Sequence, residues 1–206
     1  LADKTLCEGT YSLDEKAMVV PGTGDPAKPS SSRYYRRYEI TENGISPLQF
    51  PPLKDAAIKV NSYAHDEDGI TTEKADMVRL MTEKRQRKSQ VLKSEIDALE
   101  CVKTYGTNSA RTALLCWGST LLVCKEVAGR RGFRVIQPVV LSPFPEEQLK
   151  AAVAGVRTLM AVEENADGQL TLLCRQHGIA VNSHIEKIDG RPFSVEELDA
   201  RLKEVS

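Results

Sequence analysis

The spacing of apolar residues changes character along the chain, and its regular part begins near residue 108. Residues 112–117 form an apolar run of strand length, 120–131 carry helical spacing stopped by Gly132, and 134–141 are apolar and β-branched. Pro145 followed by Glu146 and Glu147 is a favoured helix start, so a helix is expected over 145–154. A third strand follows at 158–162, then a third helix at 169–177 closed by Gly178, and one or two strands within 179–188. Ser194-Val195-Glu196-Glu197 has the form of a capping box and opens a last amphipathic helix through Leu198 and Leu202. This alternation predicts an α/β domain over 106–206 with a doubly wound, mostly parallel sheet.

Upstream the pattern is different. Residues 71–100 read as one long helix, with Thr71 or Thr72 as cap, Glu73 and Asp76 in the first turns, and Met77, Leu80, Met81, Val91, Leu92, Ile96 and Leu99 at helical spacing. Its middle, residues 82–90, is wholly polar and reads as a solvated or subunit-facing stretch. Residues 1–70 hold many breakers, among them the segment from Pro21 to Pro29 and the run from Ser46-Pro47 to Pro51-Pro52. Only short strand candidates, 37–41 and 57–62, interrupt them, so an irregular N-terminal extension lying on a partner or another domain is expected.

Composition narrows the function classes. Of 206 residues 41% are hydrophobic and 28% charged, and 28 Lys and Arg balance 29 Asp and Glu. No overall field therefore recruits nucleic acid or a charged membrane. No apolar run reaches the roughly 20 residues of a spanning helix. Cys7, Cys101, Cys116, Cys124 and Cys174 contain no C-x-x-C pair, and three sit in apolar stretches. Buried reduced thiols of a cytoplasmic protein are expected, with no metal or cluster site built by this chain alone. The chain opens at Leu1, without an initiator Met, and is read as a fragment or processed product.

Candidate chemistry falls in two places. Ligands of open α/β sheets bind beyond the carboxyl ends of strands, which here carry Gly118-Ser119-Thr120, Ser142-Pro143-Phe144 and Glu163-Glu164-Asn165. The first could offer backbone N–H groups to an anion, although no G-x-G-x-x-G or G-x-x-x-x-G-K-[ST] string is present and turn capping accounts for the same residues. The richest titratable cluster is His65-Asp66-Glu67-Asp68-Gly69. It suits either a tuned proton-transfer group or Mg²⁺ ligation, or simply an exposed turn before the helix. His177 reads as a helix-end cation and His184 as a strand residue.

Three strings then carry a resemblance: 37–47 (Arg-Tyr-Glu-Ile-Thr-Glu-Asn-Gly-Ile-Ser-Pro), 65–69 (His-Asp-Glu-Asp-Gly) and 81–88 (Met-Thr-Glu-Lys-Arg-Gln-Arg-Lys). With Trp117-Gly118-Ser119-Thr120, Leu141-Ser142-Pro143-Phe144-Pro145 and Val162-Glu163-Glu164-Asn165, in that order, the chain resembles the alpha subunit of 2-oxoacid:ferredoxin oxidoreductases, nearest the 2-oxoglutarate type. Leu48 and Pro51-Pro52 depart from the Arg and Pro-Gly usual there. The resemblance implies an enzyme that decarboxylates a 2-oxoacid oxidatively, passes electrons to ferredoxin and transfers the acyl group to coenzyme A. Thiamine diphosphate, Mg²⁺ and iron–sulfur clusters would serve the intact complex, with none bound by this piece. It implies a division into 1–70 (end of the pyrimidine-binding domain, begun by Leu1-Ala2-Asp3-Lys4, plus linker), 71–105 (connecting helix) and 106–206 (transketolase C-terminal-like domain). A separate beta subunit, ferredoxin and coenzyme A would be the partners, in a cytoplasmic hetero-oligomer or self-associated assembly. No catalytic residue is expected in the chain, which would be inactive alone. His65, Asp66 and Glu67 would lie nearest the active-site entrance. Gly118, Ser119, Glu163, Glu164 and Asn165 would be interface residues or touch coenzyme A. A free-standing α/β binding or regulatory module is the competing expectation.

Overall fold

The computed structural model describes residues 35–49 and 58–204. The proposed loop at Pro21–Pro29, the Pro51-Pro52 pair and the Leu1–Lys4 strand region lie outside the described residues. Contacts divide the chain into two units at the Glu95–Ile96 step.

In the first unit the long helix, α1, spans Ala75–Asp97. It starts later than its acidic approach suggests. Thr71 bridges His65 in antiparallel fashion, and the Thr72 N–H donates to the Ala64 carbonyl at 3.0 Å, so both backbones are committed before the helix begins. The strand candidates at 37–41 and 58–62 are irregular chain instead. Some of their amides go to side chains, Ile40 N–H to Glu67 Oε1 at 2.9 Å and Asn61 N–H to the Tyr38 hydroxyl at 3.1 Å, as does the adjoining Tyr63 N–H to Asn61 Oδ1 at 2.9 Å, while Glu39 N–H turns back to the Arg36 carbonyl. Bonds of this kind leave no ladder to build. Helix α1 buries Met81 and, from within the polar run, Lys84.

The second unit is built on five strands: β1 Val102–Gly106, β2 Thr112–Leu115, β3 Arg134–Pro138, β4 Thr158–Glu163 and β5 Ser183–Glu186. Their order is β1-β3-β2-β4-β5, with β1 antiparallel to β3 and every other pairing parallel. Helices α2 Leu121–Arg131, α3 Glu146–Val153, α4 Gln169–Gln176 and α5 Val195–Glu204 cover it. Alternation along the strands sends Ala113, Leu115, Leu159 and Ala161 into one core with Leu149 of α3 and Leu170 and Cys174 of α4. Leu114, Met160 and Val162 point the other way, onto Cys124 and Val127 of α2 and Leu198 and Leu202 of α5. Helices on both faces make this a doubly wound α/β sheet, as the element order predicts.

Local signals act where they were expected. Gly132 ends α2 in the left-handed conformation (φ 69°), which costs an L side chain and not glycine. Ser194 Oγ accepts from Glu197 N–H at 3.1 Å while Glu197 Oε2 accepts from Ser194 N–H at 3.0 Å, completing the capping box. Three boundaries differ from the sequence reading. A 3₁₀ turn over Gly118–Thr120 precedes α2, and the strand after it stops at Pro138. Strand β1 arises where no strand was expected, whereas the single strand β5, Ser183–Glu186, falls within the one or two expected over 179–188.

Candidate functional site

The first unit ties the three strings 37–47, 65–69 and 81–88 into one cluster. Tyr38 N–H donates to the Glu67 carbonyl at 3.0 Å, and the Tyr38 ring stacks on the His65 imidazole with centroids 3.9 Å apart. His65 Nδ1 donates to the Asp66 carbonyl at 3.1 Å, which fixes the ring on Tyr38. Asp66 Oδ1 accepts from the N–H groups of Asp68 at 3.0 Å and Ile70 at 2.9 Å. Glu67 Oε1 takes Ile40 N–H and its Oε2 takes Arg36 Nη1, also at 2.9 Å. Both carboxylates are thus spent on amide donors and one guanidinium. Among the described residues no group of three His, Cys, Asp or Glu side chains could hold a metal ion.

The string 81–88 joins through Gly44 and Ser46. Gly44 adopts φ +77°, and a Cβ placed there would stand 2.4 Å from the Lys84 carbonyl oxygen and 2.7 Å from Lys88 N, so only glycine lets the loop lie against α1. Lys84 Nζ donates to Ser46 Oγ at 2.5 Å. Lys84 is 7% exposed. Burial holds its pKa below the ordinary lysine value, helped by the charges of Lys88, Arg37 and Arg85 and opposed by Glu67.

A second locus lies in the other unit. From β2 the chain winds to β3 on one side and later to β4 on the other, so the topological switch point falls between β2 and β4. Beyond their carboxyl ends opens a cleft of about 670 Å³, lined by Trp117, Ser119, Glu164, Asn165, Lys187 and Arg191 among others. Ser119 Oγ donates to Glu164 Oε2 at 3.0 Å, and Glu164 Oε1 accepts from Phe193 N–H at 3.1 Å. Lys187 Nζ reaches Glu197 at 2.8 Å and Asp189 at 3.2 Å. The hydrogen bond to Glu197 raises the Lys187 pKa, and Arg191, followed by Lys187, lowers that of Asp189 to about 2.

Of the residues expected here, Gly118, Ser119, Glu164 and Asn165 line the cleft. Glu163 does not. It is fully buried and accepts from Leu170 N–H (2.8 Å), Thr171 N–H (3.1 Å), Thr171 Oγ1 (3.0 Å) and Asn165 Nδ2 (2.9 Å), which makes it the anchor of the α4 N-terminus. Lys187 and Arg191 escaped the sequence reading. Their signal was position, since both follow β5 at the same end of the sheet as Glu164.

No protein-family model matches the chain. It is 35% identical over 214 residues to the Aeropyrum pernix 2-oxoacid:ferredoxin oxidoreductase 2, subunit alpha, covering 100% of this chain and 33% of that subunit. It is 32% identical over 197 residues to the Saccharolobus solfataricus 2-oxoacid:ferredoxin oxidoreductase subunit alpha, covering 93% of the chain and 30% of the relative. The chain is a homologue of these alpha subunits. It spans about one third of their length. Among solved structures it is similar to the 2-oxoglutarate:ferredoxin oxidoreductase of Magnetococcus marinus, determined with 2-oxoglutarate, coenzyme A and succinyl-CoA bound. The TM-score is 0.60 at 27% identity, over 84% of this chain and 31% of that one. All three relatives are oxidoreductases or their subunits, and the α/β fold matches. Among the described residues no helix is long and apolar enough to cross a membrane.

Proposed function

We propose that the chain is part of the alpha subunit of a 2-oxoacid:ferredoxin oxidoreductase, which converts a 2-oxoacid oxidatively to its acyl-CoA while reducing ferredoxin. The observation that carries this reading is similarity over the whole chain to the Aeropyrum subunit. The interlocking of the three strings in one unit supports it. The bound 2-oxoglutarate, coenzyme A and succinyl-CoA of the Magnetococcus enzyme make 2-oxoglutarate the preferred substrate assignment. In this reading residues 1–70 close the pyrimidine-binding domain and continue as a linker, 71–105 are the connecting helix, and 106–206 are a transketolase C-terminal-like domain. Thiamine diphosphate, Mg²⁺ and iron–sulfur clusters belong to other parts of a cytoplasmic complex with a beta subunit.

The chain's own contribution is to shape and assemble that complex. The His65-Asp66-Glu67 turn faces the active-site entrance, and Gly118, Ser119, Glu164 and Asn165 form an interface or meet coenzyme A. Alone, the chain is inactive. The test is reconstitution with the rest of the alpha subunit and the beta subunit, followed by 2-oxoacid-dependent ferredoxin reduction with 2-oxoglutarate, pyruvate and branched-chain 2-oxoacids. Turnover is expected from the assembly, fastest with 2-oxoglutarate, and from the chain alone none. Failure of every 2-oxoacid would overturn the assignment. Calorimetric binding of thiamine diphosphate to the chain alone would overturn its assembly role.

A further inference from the structure

The cleft beyond β2 and β4 holds polar groups that the fold leaves unspent. Trp117, the single tryptophan of the chain, borders it and lies half-buried against the core of Leu115 and Leu170. Thr120 Oγ1 donates to the Trp117 carbonyl at 3.0 Å and ties down the backbone beneath the ring. The indole N–H has no hydrogen-bond partner among the described residues, and neither has the side-chain amide of Gln169, which lines the same cleft. Asn165 places Gln169. Its Oδ1 accepts from Gln169 N–H at 3.1 Å, while its Nδ2 is anchored on buried Glu163 at 2.9 Å. Each carboxylate oxygen of Glu164 is engaged once, by Ser119 Oγ or by Phe193 N–H, which leaves further lone pairs to accept with. Charge narrows what can enter. The two cations of the lining are already matched, Lys187 by Glu197 and Asp189, and Arg191 by Asp189. The Glu164 carboxylate repels an anion. What fits is a neutral group with a flat face for the indole and an edge that both donates and accepts.

We propose that this cleft binds an adenine base, stacked on Trp117 and read along its edge by Gln169, with Glu164 as a second acceptor. Bases stack on tryptophan whatever their sequence context. A glutamine amide pairs side by side with the amino group of adenine and the ring nitrogen next to it, and a carboxylate accepts from an exocyclic amino group. At about 670 Å³ the cleft has the size of a small-molecule site, with room for the base and its sugar. Two carriers share this chemistry, a free adenine nucleotide and coenzyme A. Only the second of them rests on the enzymatic reading above.

The experiment titrates the full 206-residue chain with adenosine and follows the emission of its one tryptophan, excited at the red edge where the base does not absorb. Saturable quenching is expected. Inosine, which carries a carbonyl where adenosine carries the amino group, should bind about tenfold more weakly, the equivalent of one hydrogen bond. Gln169→Ala, at an exposed position, should weaken adenosine by about tenfold and bring it towards inosine. Trp117→Leu should abolish binding measured by calorimetry. Adenosine monophosphate and coenzyme A then separate the carriers. Binding of both supports the site and admits coenzyme A to it. Binding of the nucleotide with exclusion of coenzyme A also supports the site, and removes coenzyme A contact from the enzymatic reading. No saturable quenching by adenosine, equal affinity for inosine, or binding of glucose in its place overturns the proposal. Each of these leaves the family assignment to its own test, ferredoxin reduction by the assembled enzyme. Unchanged adenosine binding in the Gln169→Ala chain likewise overturns it, a comparison that holds even if Trp117→Leu fails to fold.

Discussion

Two neighbouring glutamates at the end of β4 have different jobs, and their partners tell them apart. Glu163 is enclosed and collects four donors, whereas Glu164 borders the cleft. Glu163→Ala should cost about 3 kcal/mol or more, because it strands buried amides at the start of α4. Glu164→Gln should stay within about 1 kcal/mol. Urea denaturation of both variants checks the contrast. Asp66 belongs with Glu163, since its Oδ1 organises the turn to Ile70. Asp66→Ala should lower stability by about 1–2 kcal/mol, and Asp66→Asn, which keeps the acceptor oxygen, should recover most of it. Hydrogen exchange at the Asp68 and Ile70 amides reads this directly. Sequence makes such clusters visible as clusters. It does not say which amides a carboxylate will meet, because those come from residues as distant as Ile40.

At the scale of elements, the strands and helices from β2 onward were legible because period, caps and stops agree. β1 was not, since along Val102–Gly106 only Val102 is buried and no apolar alternation marks an antiparallel edge strand. The polar stretch of α1 hid its most consequential residue for a similar reason. A single buried lysine among nine polar positions leaves no periodic trace. What places Lys84 is the loop at Gly44, which reaches α1 only by lacking a Cβ. Gly44→Ala must therefore strain the backbone and push the loop off the helix. A loss of more than about 1–2 kcal/mol is expected, the backbone part alone accounting for that much. Thermal denaturation, together with loss of the Ser46–Lys84 contact in Lys84 methylation rates, checks it.

Across the whole molecule, charge sets two opposing responses to pH. Hydrogen bonds to cations hold Glu146, Asp189, Glu197 and Asp199 below the usual carboxylate range, Asp189 at about 2. The unfolded chain then binds more protons in acid, so this stabilisation is present above the ordinary carboxylate values and is lost as pH falls through the folded ones. Lys84 works the other way in alkali. Its folded pKa lies below the usual 10.5, so the native state sheds its proton first and stability rises with pH across that window. Melting temperatures across the pH range should show an acid decline in both the parent chain and Lys84→Met. The alkaline gain should vanish in the variant, and at neutral pH the variant should melt no lower than the parent. A higher melting point would mark Lys84 as a residue kept at the expense of stability.

The sheet's two borders bear on how the chain behaves when crowded with copies of itself. On one side β5 is only four residues long and pairs His184 with Glu186 at 3.4 Å. On the other, β1 has five residues with Lys103 exposed, and it runs against the direction of its neighbours. Short borders that carry charge make poor templates for another polypeptide to extend. The apolar strands β2 and β4, whose composition would otherwise favour fibrous stacking, lie inside them. Exposure of those central strands, and with it aggregation, therefore has to wait until the native sheet opens.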